Sequence, residues 1–416
     1  MSAWTPILEG GSAARAVCVV NRIYADVTEA LDKSTHPAGD LSLAIGLAGL
    51  ALFEAYRARC LGLHDDLVRQ RLAEAIADCD PNIDDVSLFH GASGLALVVA
   101  LSQRLADGTV DASPFCTEVD AVLMDALAHA DWHCRAELFR GLAGIGIYAL
   151  ERRSESLLTE VKLRLRDIAY EDEAGPRWLT DSSYATPPYG LEGLYVNLGM
   201  PHGIWPPIAV VGATLLKHEP EIERRFFDLA LSWALSQQGH GVGSQFPLTL
   251  PSIGSEDGPL AWCYGDLGIG SVLVAIGTAL GRSDLTMRGA DIALRVATWP
   301  TKFADPCLCH GSAGTAHLFN RLFHSTGDER FLAASRQWFR ATLNVCHADR
   351  PVAGLSFFRR QHWTPDLSYL RGASGVALAL LGAIGATAPD WDAPLCLSFR
   401  DQARTSTATA CVPAKR

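Results

Sequence analysis

Two short stretches of this 416-residue chain bring together residue types that bind metals: Ala261-Trp262-Cys263-Tyr264-Gly265-Asp266 and Pro306-Cys307-Leu308-Cys309-His310-Gly311. Adjacent residues on a helix do not share a face, so Cys309 and His310 can serve one ion only from a turn, and Gly311 supplies that turn. Cys263, in a second turn of the same kind, completes a Cys2His set. Three protein ligands with an open fourth position form the pattern of a catalytic zinc site, whereas structural sites are closed. The competing reading is ordinary buried thiols, because free cysteine packs as a small hydrophobe. Placement alone leaves those two readings even. Cys18, Cys60, Cys79, Cys116, Cys346 and Cys396 are assigned to packing. Cys307 alternates with Cys309, which points it elsewhere, so it is left out of the ligand set.

These turns belong to a repeat. Gly-x-x-Gly followed by an apolar run begins at Gly46, Gly91, Gly141, Gly265, Gly311 and Gly372, with a degenerate copy, His202-Gly203-Ile204-Trp205-Pro206, in the wide gap after Gly141. Proline is tolerated at the first helical position, so that copy can also open a helix. The first glycines step by 45, 50, 62, 62, 46 and 61 residues. Each step holds two helices and little else. Asp66–Cys79, Glu221–Gln238, Leu285–Ala297 and Arg330–Cys346 show apolar residues three and four apart, the pattern of a helix with one wet face. The runs after the glycines are apolar nearly all round. Seven amphipathic outer helices alternating with seven apolar inner ones predict an all-α fold, a closed α/α toroid. The turns then gather at one end, and side chains beside them converge.

A single domain over residues 1–400 is expected, with an inserted loop at 170–197 that carries any β-structure, and a flexible tail at 401–416. The Gly372–Pro389 stretch reads as a buried helix and not a membrane span, for it lacks interfacial anchors on both sides. Thirty-five basic and 46 acidic residues give a net charge of −11, which argues against broad binding to nucleic acid or anionic membranes. Hydrophobic residues are 49% and charged residues 19%, which excludes a disordered chain and predicts a large buried fraction. The N-terminus lacks a basic region followed by an apolar run, and eleven scattered cysteines make no small secreted framework, so a cytoplasmic setting is expected.

The combination of seven glycine turns with Trp-Cys-Tyr-Gly in the fifth and Cys-His-Gly in the sixth resembles the lanthionine synthetase C-like family, over roughly Leu41 to Ile384. The resemblance implies the α/α toroid, one zinc per chain on Cys263, Cys309 and His310, and a cyclase that closes thioether rings in a precursor peptide. Cysteines of that peptide add to dehydroalanine or dehydrobutyrine made by a separate dehydratase; a transporter is a further expected partner. A thiol with an ordinary pKa near 8.5 is a poor nucleophile at neutral pH, and zinc deprotonates it. Addition leaves an enolate that needs a proton. His202 matches the family's central His-Gly motif, and an imidazole can accept and deliver protons at neutral pH.

Tyr264 is assigned to the enolate or its proton, with a packed aromatic as the equal alternative. Asp266 is expected to cap the fifth inner helix, and His90 to have a structural role. Two positions depart from the family. Glu137 stands where characterised cyclases carry aspartate, keeping the acid on a longer arm, and Pro259 stands where an arginine is typical. Arg140 or Arg371 could supply the missing cation. Two other functions fit the same residues: a zinc-dependent transferase adding glutathione or another small thiol to dehydro residues, and a non-catalytic peptide-binding scaffold. Neighbouring genes for a precursor and a dehydratase would favour the cyclase, and retained zinc without thiol chemistry would favour the scaffold.

Overall fold

The computed structural model describes residues 3–399 except 34–39, 64–69, 71–72, 75–84, 108–113, 184–190, 216–220, 240–242, 253–258, 301–304, 348–349 and 360. An inner helix follows each of the seven turns: Leu47–Leu61, Ala92–Asp107, Leu142–Arg152, Trp205–Thr214, Asp266–Leu280, Ser312–Thr326 and Ala373–Ile384. Each packs against the next, and the last packs on the first, so the ring is closed. Every residue of Trp205–Thr214 is buried, which is why that helix carries no charge at all. Its N-terminal prolines stand at the first helical positions, where a missing N–H costs nothing.

The outer helices Pro114–His129, Glu155–Asp167, Glu221–Ser236, Ser283–Val296 and Glu329–Asn344 each cover the inner helix before them. Glu329–Asn344 shows the logic: Phe331, Ala334, Ser335, Trp338, Phe339, Thr342 and Leu343 are buried, one stripe at helical spacing. The last inner helix is covered from the other end of the chain, by Gly10–Asp32. That closure is fastened by Trp4 Nε1 donating to the Gly382 carbonyl at 2.8 Å and by the Ile7 N–H donating to the Ala383 carbonyl at 2.8 Å. The outer helix expected at Asp66–Cys79 lies almost wholly outside the described residues, as do Cys79 and the 401–416 tail. No described helix is long and apolar enough to cross a membrane.

A belt of backbone hydrogen bonds ties the turns into one rim. Ala44 donates to Phe89, Phe89 to Phe139, Phe139 to Pro201, Met200 to Cys263, Cys263 to Cys309, Cys309 to Leu370 and Leu370 to Ala44, at 2.8–3.4 Å. These buried groups have no water to turn to, and the belt satisfies them. The turn glycines are there for space. A Cβ on Gly91 would lie 1.8 Å from the Asp85 carbonyl oxygen, which the chain must pass to enter its helix.

Three expectations need correction. β-Structure is not confined to the insertion: Thr180–Asp181 pairs with Leu194–Asn197, which pairs in turn with Thr249–Leu250 from outside it, and Phe357–Arg359 forms a hairpin with His362–Thr364. Asp266 does not cap its helix; its carboxylate instead accepts the N–H groups of Gln245 and Phe246 and the Ser244 hydroxyl, pinning that loop to the ring. Cys18 is exposed, on the wet face of Gly10–Asp32, and is no core residue.

The 3₁₀ helix Asp390–Leu395 packs on inner helices Leu47–Leu61 and Leu142–Arg152 and therefore lies inside the ring. Its Asp392 is fully buried and bound by Arg321 at 2.6 and 2.7 Å and by His317 Nε2 at 2.7 Å. Burial works to raise this carboxyl's pKa, but Arg321 and His317 outweigh it and hold the group below its ordinary value. A depressed folded-state pKa contributes stability above the unfolded value, about 4, which is lost as the pH falls through the folded one. Asp392→Ala strands the partly buried Arg321 and the buried His317 and is expected to cost about 3 kcal/mol in denaturant melts at pH 7. The gap from wild type should narrow below about pH 4.

Candidate active site

The fifth and sixth turns place Cys263, Cys309 and His310 together, with one ligand atom from each lying within 4.8 Å of the others. The backbone makes this meeting: Trp262 and Cys263 both donate to the Cys309 carbonyl, at 3.2 and 3.3 Å, so the two turns travel as one unit. Gly265 completes the fifth turn with φ +92°, a conformation that costs a side-chain-bearing residue strain. From below, Trp262 Nε1 donates 3.0 Å to the Leu395 carbonyl of the 3₁₀ segment inside the ring.

The donors fit zinc in type: two cysteine sulfurs and an imidazole nitrogen are ligands it takes at about 2.0–2.3 Å. The electrostatics also favour a cation. Burial opposes a charged His310, yet the Cys307 and Cys309 sulfurs outweigh it and push this imidazole up to about 11. The Cys309 thiol is driven well up by Cys263 beside it and by burial. Two thiols crowded in this way draw positive charge to the turn, here the His310 proton, in the place a zinc ion would take.

Cys307 is not in the Cys2His group, but its sulfur interacts with His310 and, with Asp305, makes a second group that could hold an ion. Asp305 is already committed. Its Oδ1 accepts the Cys307 N–H at 2.9 Å and its Oδ2 the Phe358 N–H at 2.9 Å. Cys307→Ala is therefore expected to retain about one zinc per chain, read by metal analysis, because it removes no ligand.

The fourth turn places His202 beside the third. Its Nδ1 lies 2.8 Å from Glu137 Oε2, and its ring leans on Phe139 with centroids 4.9 Å apart. Glu137 is itself fixed, accepting the N–H groups of Phe139 at 2.9 Å and Arg140 at 2.6 Å. A carboxylate on Nδ1 selects the tautomer with its proton there and leaves Nε2 for exchange with a substrate. The longer Glu137 side chain thus still reaches the histidine. Tyr264 is half-buried, and burial holds its phenol well above the ordinary value, although an Asn197 hydrogen bond opposes the shift. Asn197 Nδ2 donates to the Tyr264 oxygen at 3.0 Å, which leaves the hydroxyl proton free to be donated.

Pro259 is half-buried at the start of the fifth turn and brings no cation. His90 is half-buried, edge-on to Phe139 at 6.2 Å, and its pKa is lowered by burial and by Arg140. Sequence reasoning missed a second register in the repeat. Asp40, Asp85, Asn197, Asp305 and Asp366 each stand six residues before a turn glycine, and each accepts the N–H two residues on at 2.8–2.9 Å. The spacing was visible in the sequence. Asn197 and Phe139, which hold Tyr264 and His202, were missed with it.

The family model described as lanthionine synthetase C-like protein matches residues 37–396. Among solved structures the chain is similar to nisin cyclase, at 14% identity and a TM-score of 0.68, covering 91% of this chain and 97% of that one. At that identity the likeness speaks for the fold. No curated protein sequence matches it significantly.

Proposed function

The chain belongs to the lanthionine synthetase C-like family, and from that premise we propose that it is a zinc-dependent lanthipeptide cyclase. Its reaction would add cysteine thiols of a dehydrated precursor peptide to dehydroalanine or dehydrobutyrine, forming lanthionine or methyllanthionine rings. The observation that carries this reading is the meeting of Cys263, Cys309 and His310 on one rim with the His202–Glu137 pair. The nisin cyclase likeness supports the same reaction class.

Cys263, Cys309 and His310 would hold one zinc per chain. When bound, that ion supplies the positive charge that keeps a peptide thiol deprotonated at neutral pH. His202 Nε2 takes up and returns the proton, with Glu137 fixing the ring and balancing the imidazolium. Tyr264, protonated at neutral pH, donates a hydrogen bond toward the developing oxyanion. The peptide arrives already dehydrated, so a separate dehydratase belongs to the proposal, and a transporter would take the product. A cytosolic setting belongs to it too, since thiol ligands must stay reduced.

The test uses a synthetic peptide containing one dehydroalanine and one cysteine, incubated with the zinc-loaded protein. Loss of the free thiol without change of peptide mass, faster than in protein-free controls, is the expected result. A peptide that gains the mass of one glutathione while its own cysteine stays free would favour the small-thiol transferase. Tight peptide binding with no thiol loss would leave a scaffold.

A further inference from the structure

The third turn carries a cation that none of the roles above employs. The residue before the first glycine is His90, Arg140, His202, Tyr264, His310 and Arg371 in turns two to seven. Arg140 thus holds, in the turn next to His202, the same place that His202, Tyr264 and His310 hold in theirs. Its backbone N–H is bound by the Glu137 carboxylate that also holds His202, so the arginine and the histidine are registered by one group. Its side chain is exposed and makes no ion pair or hydrogen bond among the described residues. Beside it opens a cavity of about 470 Å³, whose lining includes Asp85, Trp132, Arg135, Glu137, Thr180 and His202. The inserted sheet closes one side, where the Thr180 hydroxyl donates to the His202 carbonyl at 3.3 Å. His202 lines this cavity, and its turn is tied to the thiol-bearing fifth turn by the Met200 N–H donating to the Cys263 carbonyl at 2.8 Å.

We propose that the cavity is the subsite for the dehydro residue, and that Arg140 is a catalytic residue that binds its carbonyl oxygen as the enolate forms. This rests on the cyclase reading. The sulfur electron pair makes the bond to Cβ, and the Cα=Cβ π pair moves onto Cα and the adjoining carbonyl oxygen. The resulting oxyanion is met by the Arg140 guanidinium, a charge-assisted donor. His202 Nε2 then delivers a proton to Cα, equal to the proton lost by sulfur, and the carbonyl reforms. The sum is S–H across C=C, with no oxidant or reductant. With Pro259 in the fifth turn, the cation of this site comes from the third. Arg371 is the less suitable candidate: it does not line the cavity, and its carbonyl is taken by the Arg359 guanidinium.

The experiment compares wild type, Arg140→Gln, Arg140→Lys and Arg371→Gln on the same dehydroalanine–cysteine peptide, with zinc content and melting midpoint recorded for each. An interaction made mainly in the transition state shows in kcat and spares KM. Arg140→Gln is expected to lose about 10²-fold in kcat with KM, zinc and melting unchanged, and Arg140→Lys to recover part of it. A kcat within about threefold of wild type would overturn the assignment, as would a loss confined to KM, which marks mere steering. The same loss appearing in Arg371→Gln instead would overturn it too. A wild-type protein that leaves the thiol untouched defeats the cyclase reading itself, and this inference with it.

Discussion

Cys309→Ala is expected to lose zinc and ring closure together. Cys309 supplies a sulfur to the ligand group and, through its carbonyl, the acceptor that ties the fifth turn to the sixth. The substitution keeps the backbone bond and removes only the sulfur, so the fold and melting behaviour should stay near wild type. Two ligands remain, one short of the three that catalytic zinc sites use. Metal analysis should fall from about one zinc per chain to near none, and peptide thiols should persist at the protein-free rate. Full zinc occupancy in this variant would show that the ligand set is wrong.

His202→Asn should fail in a different way. It removes no ligand, so zinc and thiol binding remain. General acid–base groups contribute about 10²–10⁴-fold, and ring closure should drop by that order. Zinc and free thiols should be measured on the same samples. Near-normal closure would move the proton role to Tyr264 or to water. Loss of zinc would mean that His202 supports the metal turns through the belt that joins Met200 to Cys263. Because Glu137 holds His202 Nδ1 at 2.8 Å, Glu137→Gln should fall between wild type and His202→Asn.

The toroid was legible because its signals are periodic. Gly-x-x-Gly marks every inner helix, and even the degenerate copy ending in Pro206 opens a helix at Trp205. The seventh outer helix was harder to place, since its partner lies at the opposite end of the chain. Nothing local in Gly10–Asp32 says that it covers Ala373–Ile384. The hairpin at Phe357–Thr364 and the strand at Thr249–Leu250 escaped for a related reason. Segments of two or three residues owe their pairing to tertiary context, which short-range patterns do not carry.

At the site, residues next to a turn glycine could be named from sequence, because the turns must converge. Their supports could not. Asp266 looked like a helix cap by position, but the Gln245 and Phe246 N–H groups come from a loop about twenty residues away and claim its carboxylate. The cavity beside Arg140 needs the inserted sheet as a wall, so it exists only once Thr180 is folded against His202.

The central claim is that this chain itself directs the addition, from thiolate attack to proton delivery on one face. Ring closure of the dehydroalanine–cysteine peptide in D₂O tests it most directly, with the product analysed by mass and by chiral separation of the lanthionine. Delivery from the fixed His202 predicts a single lanthionine diastereomer carrying one deuterium at the new Cα. A diastereomer mixture identical to that formed without protein would contradict it.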